Sequence, residues 1–292
     1  MGARSTLHTG FEKKIQWVRA RGRAPRAIVF APPLIGGHAL QQIRMLRPLV
    51  PRGFDLVSFS YAGHGASSGV FSFQAALDNC IAILDWARCR SRAEGLPLYG
   101  IASCFGALPM IHAVVKRNEP LDRMALINAV PNWRWEKLFF DFARRWSRSN
   151  RGWLSMAGLR AAMDQYLRDY FPRVHHRKRS FGILSTRRIH WPLMARQWWT
   201  LRRKSPGLLS NTPVFCAYGR QDRLLQQMGY ADWAGYETTI LELCPLASFW
   251  RLDTDHFFSC PGIRHRLIVA VDRFFSRAAL CGSVLKPSGS RV

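Results

Sequence analysis

Three residues far apart in the chain are of types that do acyl chemistry together: Cys104, Asp222 and His256. The run from Pro97 to Ala107, PLYGIASCFGA, reads as a short apolar strand, a tight turn and the start of a helix. Ala102 and Gly106 stand two residues before and two after Cys104. A side chain at the tip of such a strand-to-helix turn is held in a strained backbone conformation and points away from the sheet. Small neighbours are needed where strand and helix approach closely, and this selects Cys104 over Ser103. With Ser103 at the tip, Ile101 and Phe105 would fill the crowded positions. The chemistry implied is a thiolate attacking an acyl carbon.

Asp222 follows the apolar run Pro213–Tyr218 in the loop GRQDR, and His256 follows Ser248–Leu252 in DTDHFF. Both fall at carboxyl ends of predicted strands, where catalytic loops gather in parallel sheets. His256 would take the thiol proton and later act as acid and base. Asp222 would hold the imidazole tautomer and stabilise its charged form. Asp253 and Asp255 are rival acids, but Asp255 is adjacent to His256 and poorly placed to reach its ring. His64 reads as structural, His38 as a surface residue near the substrate loop, and the pair His175-His176 as part of a solvated basic run.

The elements that must position these residues alternate. Strands are predicted at Ala27–Ala31, Phe54–Ser60, 97–103, Met124–Ala129, Pro213–Tyr218 and Ser248–Leu252. Helices are predicted over His38–Val50, 73–88, Phe105–Val115, 224–234 and Ile263–Arg277. Buried apolar strands alternating with helices imply a mostly parallel sheet covered on both faces.

The pattern changes between 132 and 205. Seven of the chain's 11 Trp lie there, and residues 133–204 hold 18 Lys+Arg against 4 Asp+Glu. The segment reads as a Trp/Arg-rich helical cap interrupting a core made of 1–131 and 206–292. The whole chain of 292 residues carries a formal charge of +25, with arginine far outnumbering lysine. A positive surface favours anionic partners. The seven cysteines are scattered without short paired spacing, which argues against a disulfide framework and a zinc site. A cytoplasmic location is expected, since the N-terminus lacks a secretory apolar stretch and a reducing compartment keeps Cys104 a thiol.

The runs PLYGIASCFGA, SYAGHGASSG, PVFCAYGRQD and DTDHFF, in this order, resemble the α/β-hydrolase superfamily over about Ala27 to Arg277. The resemblance implies an α/β-hydrolase fold with a helical cap inserted after the sixth core strand. It implies a triad of Cys104, Asp222 and His256, in the chain order nucleophile, acid, base. It also implies an oxyanion hole made by the backbone N–H of Phe105 and a second N–H from the loop Pro32–Gly37. Prolines have no N–H, so Leu34 or Ile35 must donate, and Leu34 is preferred. Cysteine in place of the usual serine resembles, at the elbow only, polyhydroxyalkanoate synthases and dienelactone hydrolases. The function expected is cleavage or transfer of acyl groups from an ester or thioester through an acyl-cysteine, as a hydrolase, thioesterase or acyltransferase. The partner expected is an acyl ester or acyl thioester substrate, acyl-CoA and acyl carrier protein being thioester donors that suit the charge; peripheral membrane contact is compatible with it, and neither a metal nor another cofactor is called for. Nucleic acid is disfavoured because no binding motif accompanies the charge. The alternative is a non-catalytic scaffold of the same fold that binds an acidic partner through the Arg-rich cap.

Overall fold

The computed structural model describes residues 4–9, 13–20, 25–132, 188–201, 208–228, 230, 232–256 and 258–277, with scattered positions between 140 and 158. One eight-stranded sheet organises them. Its strands are β1 (Arg4–Thr9), β2 (Lys13–Ala20), β3 (Ala27–Phe30), β4 (Phe54–Phe59), β5 (Leu98–Ser103), β6 (Arg123–Ile127), β7 (Val214–Gly219) and β8 (Ala247–Leu252). The spatial order is β1-β2-β4-β3-β5-β6-β7-β8. The first two strands join antiparallel, and every pair from β4 to β8 is parallel.

Helices cover both faces of the sheet, which is why its central strands are apolar throughout rather than alternating. On one face α2 (Phe73–Glu94), α3 (Ala107–Arg117) and α6 (Trp233–Leu243) pack on Ile28, Phe30, Met124 and Leu126. On the other, α1 (Ala39–Leu46) and α7 (Pro261–Ser276) pack on Ala27, Val29, Ala125 and Ile127. No helix among the described residues is long and apolar enough to cross a membrane.

Every strand expected from sequence is present within a residue or two. Three departures have local causes. The helix expected to Val50 ends at Leu46, and Pro48 and Pro51 lie in the 3₁₀ turn Arg47–Arg52 that follows. The helix expected over 224–234 is two, α5 (Arg223–Gln227) and α6, with Asp232 capping the second by accepting from the amides of Ala234 and Gly235. The antiparallel pair β1–β2 precedes the region where strands were expected.

β6 and β7 are parallel neighbours, yet the chain between them runs from 128 to 213. The long connection between them follows the sixth strand in chain order. Most of the predicted cap, including Trp133, Trp135, Trp146, Trp153 and His175-His176, lies outside the described residues. Later in the same connection α4 (Trp191–Leu201) meets the start of α2, where the Gln74 amide donates to Gln197 Oε1 at 3.2 Å.

Candidate active site

Cys104 sits at the junction of β5 and a 3₁₀ turn, Cys104–Gly106, that leads into α3. Its φ is +51°, the left-handed region, which costs a non-glycine residue of order 1–3 kcal/mol. The turn is held from both sides: the Cys104 carbonyl accepts from the amides of Ala107 and Val130. The sequence argument for small flanking residues gains a specific cause at Gly106. A Cβ there would stand 2.7 Å from the Pro32 carbonyl oxygen and 2.9 Å from that of Pro33. The crowding comes from the β3–α1 loop, whose close approach to the helix start Gly106 permits.

His256 and Asp222 meet as a buried pair, with Nδ1 of the imidazole 2.7 Å from Asp222 Oδ2. Cys104 lies close enough to the same imidazole to act on its charge. Burial opposes charge on the imidazole, but the Asp222 carboxylate and Cys104 outweigh it and hold His256 well above the usual histidine range. The Asp222 carboxylate also caps α5, its Oδ1 accepting from the Leu225 amide at 3.0 Å. One oxygen fixes the carboxylate to its helix and the other faces the imidazole. The rival acids are engaged elsewhere: Asp255 accepts from the Ser259 amide and hydroxyl, and Asp253 pairs with Arg220 at the surface. The two loops converge because Gly219 has no side chain; a Cβ there would lie 2.3 Å from the Thr254 carbonyl oxygen.

Asn128, which the sequence reading passed over, ties these loops together. It is buried at the end of β6 with φ +44°. Its Oδ1 accepts from the Gly219 amide at 2.8 Å, and its Nδ2 donates to the His256 carbonyl at 2.6 Å. One side chain thus spans the strand carrying Asp222 and the backbone of His256. An asparagine placed immediately after a buried strand, in LINAVP, is the signal that was available.

The loop Pro32–Gly37 is positioned by the glycine-rich loop after β4. The Tyr61 hydroxyl donates to the Pro33 carbonyl at 2.9 Å, and the Gly36 amide donates to His64 Nε2 at 2.9 Å. A ring nitrogen that accepts from an amide carries no proton, so His64 is neutral, with Nδ1–H facing the Ala62 carbonyl at 3.2 Å. Burial pushes its pKa down to about 4; the Ala62 carbonyl opposes this and the nearby Arg188 charge adds to it. Gly36 and Gly37 spend their amides on His64 and Leu34 O. Among the described residues the Leu34 and Ile35 amides have no hydrogen-bond partner, and the Phe105 amide lies in the first turn of the helix. Arg188 and Ile189, from the connection between β6 and β7, are fastened to the same glycine-rich loop. Arg188 donates to the carbonyls of Gly65, Ser67 and Gly69, and Ile189 bridges Phe71. His38, expected at the surface, caps α1 by accepting from the Gln41 amide.

All six cysteines among the described residues are free. Burial pushes Cys216 and Cys244 up to about 12 and holds Cys80 well above the usual thiol range, which makes them inert as nucleophiles. Cys260, at the start of α7, is exposed and shifted down by the Ile263 and Gly262 amides, but it has no described histidine–acid pair beside it.

No protein-family model matches the chain, and no curated protein matches it in sequence. Solved structures do. A hydrolase from Pseudomonas aeruginosa aligns over 94% of this chain and 98% of its own, with TM-score 0.63 and 16% identity. A lipase in its open form covers 95% and 100% with TM-score 0.64 and 16% identity. Mouse α/β hydrolase domain-containing protein 10 covers 94% and 98% with TM-score 0.59, again at 16% identity. At this identity the likeness establishes the fold, and the chain has the α/β-hydrolase fold.

Proposed function

We propose that the protein cleaves or transfers acyl groups from an ester or thioester through a covalent acyl-cysteine at Cys104. The observation that carries this reading is the buried His256–Asp222 pair at 2.7 Å, with Cys104 on its strained turn close enough to the same imidazole to raise its pKa. Hydrolases and lipases among the structural neighbours agree with acyl chemistry. The Cys104 thiolate attacks the acyl carbon and forms a C–S bond, while its proton rests on His256. The oxyanion that develops is met by N–H groups of Phe105 and of Leu34 or Ile35, such donors being a large share of acyl-transfer catalysis. The leaving thiol or alcohol departs with the proton from His256. His256 then deprotonates water or another acceptor, which attacks the thioester, and the C–S bond breaks to restore Cys104.

An acyl-cysteine is a thioester, so its formation from an acyl thioester is nearly isoenergetic, and it stays reactive towards amines, alcohols and thiols. This suits passing the acyl group on as well as hydrolysing it. The cationic surface suits an anionic donor such as acyl-CoA or an acyl carrier protein, in a reducing compartment such as the cytoplasm.

The test is intact-mass analysis after mixing with acyl-CoA and neutral acyl N-acetylcysteamine thioesters, using wild type, Cys104→Ala and Cys260→Ala. An acyl adduct on wild type and Cys260→Ala, absent from Cys104→Ala, is expected. Its decay with and without added acceptors separates transfer from hydrolysis. An adduct that survives in Cys104→Ala, or no adduct and no turnover in any variant, defeats the reading.

A further inference from the structure

A concavity that Cys104, Asp222 and His256 do not line is present at the edge of the sheet. A groove of about 660 Å³ runs between α7 and the edge strand β8, within the range of roughly 300–1,000 Å³ typical of small-ligand sites. Its lining includes Phe215, Trp250 and Phe274, with Arg266, Arg273 and Arg277 also facing it. Phe215 and Ser248 lie near the beginnings of β7 and β8, whereas Asp222 and His256 follow the ends of these strands. The groove runs along α7 beside β8, and none of Cys104, Asp222 and His256 lines it.

The arrangement follows from α7. Leu267, Ile268, Val271 and Phe275 are buried against the sheet. The flanking stripe Arg266, Val269, Ala270, Arg273, Phe274 and Arg277 repeats every three or four residues and faces the groove. Phe215 lies 5.6 Å from Phe274 and 6.3 Å from Trp250, ring centre to ring centre, so three aromatic rings form a continuous apolar surface. Because β8 is the last strand of the sheet, no further strand among the described residues covers that surface.

The charge at the groove is one-sided. Elsewhere on the core many arginines meet carboxylates: Arg19 with Asp55 and Glu94, Arg117 with Asp85, Arg251 with Glu237. The one acid of α7, Asp272, pairs instead with Arg26 and Arg52. Among the described residues none of Arg266, Arg273 and Arg277 has a carboxylate partner, and residues 278–292 contain no Asp or Glu to provide one. Arg273 and Arg277 are one helical turn apart and can grip a single anionic group. Guanidinium forks suit carboxylate and phosphate, and the aromatic rings suit a hydrocarbon body.

We propose that this groove binds an anionic amphiphile, a phosphate or carboxylate head on an acyl or alkyl chain. Arg273 and Arg277 hold the head, and Phe215, Trp250 and Phe274 pack on the chain. The ligand is free in solution or is a membrane lipid presenting the same chemistry.

Dodecyl phosphate carrying a photoreactive diazirine in its chain tests this on the full-length protein. Binding is titrated below the micelle concentration and cross-links are mapped by peptide mass spectrometry. Cross-links within 213–219, 247–252 and 261–277 are expected. Affinity should fall at least tenfold in Arg273→Gln/Arg277→Gln with an unchanged melting temperature, and neutral dodecyl maltoside should not compete. Phosphatidylglycerol vesicles, against phosphatidylcholine vesicles, decide the source: retention that the double variant loses assigns the membrane, and binding of the monomer alone assigns a free amphiphile. Cross-links confined to other segments, equal affinity in wild type and double variant, or no saturable binding overturns the proposal. The readout is binding, so it stands or falls separately from acyl chemistry at Cys104.

Discussion

At the scale of single residues, the proposed mechanism assigns Cys104, His256 and Asp222 different tasks, and their environments differ to match. Cys104 is partly exposed on a strained turn, whereas Asp222 is fully buried and accepts from the Leu225 amide as well as facing His256. Replacing Asp222 with Asn keeps the shape but presents the imidazole with the wrong partner. It should lower the acylation rate by about 10⁴-fold, the scale seen when such a tautomer-setting carboxylate is lost. Stopped-flow release of a chromogenic thiol reads this directly, and a loss below tenfold would remove Asp222 from the mechanism. His64 shows the opposite electrostatic design, because its folded pKa of about 4 lies below the unfolded value near 6.5. The unfolded chain binds the extra proton first. The stability His64 contributes is therefore present above about pH 6.5 and drains away as pH falls towards 4, by on the order of 3 kcal/mol. His256 has the opposite sign, its stability lost as pH rises through its raised pKa. Comparing melting temperatures of wild type and His64→Gln between pH 7 and 4.5 isolates the His64 share. The variant should show the shallower acid limb, and parallel limbs would show that His64 is not held neutral by the fold.

At the scale of elements, the site is a set of strand ends held in register by side chains that cross between loops. Asn128 is the clearest case, since its amide bonds the end of β7 and the backbone of His256 at once. Asn128→Ala leaves two buried backbone groups without their partner, each costing about 1–3 kcal/mol. We expect a fall of several degrees in melting temperature together with a ten- to hundredfold slower acylation at unchanged substrate KM. A stability loss without the rate loss would make Asn128 a structural strut alone. This residue also marks the limit of what the sequence made legible. Ile28-Val29-Phe30 and Met124-Ala125-Leu126 announce their strands because burial on both faces demands unbroken apolar runs. Cys104 announces itself because its turn tolerates only small neighbours. The Asn128 and His64 contacts leave no such trace, since they join residues 91 and 28 positions away in the chain. β1 and β2 mix charged and apolar residues at the sheet margin, and the break between α5 and α6 rests on one capping aspartate, so local pattern hid both.

At the scale of the whole molecule, the excess of +25 has to be weighed against a core that pairs many of its own arginines. Charge so unbalanced raises the local concentration of anions over the surface and speeds their encounter with it. The effect is long-ranged only while salt leaves it unscreened. Between about 0.05 and 0.3 M salt the screening length falls from roughly 14 Å to roughly 6 Å. An anionic donor should feel this and a neutral one should not. Acylation of Cys104 by an acyl-CoA is therefore expected to slow several-fold over that range at sub-saturating donor, with little change in the maximal rate. The matching N-acetylcysteamine thioester, which has the same acyl group and no phosphates, should react at a nearly constant rate. The paired comparison cancels any effect of salt on the triad itself. If both donors respond alike, the charge does not serve donor capture, and the groove beside Arg273 and Arg277 becomes the stronger reason for a cationic surface.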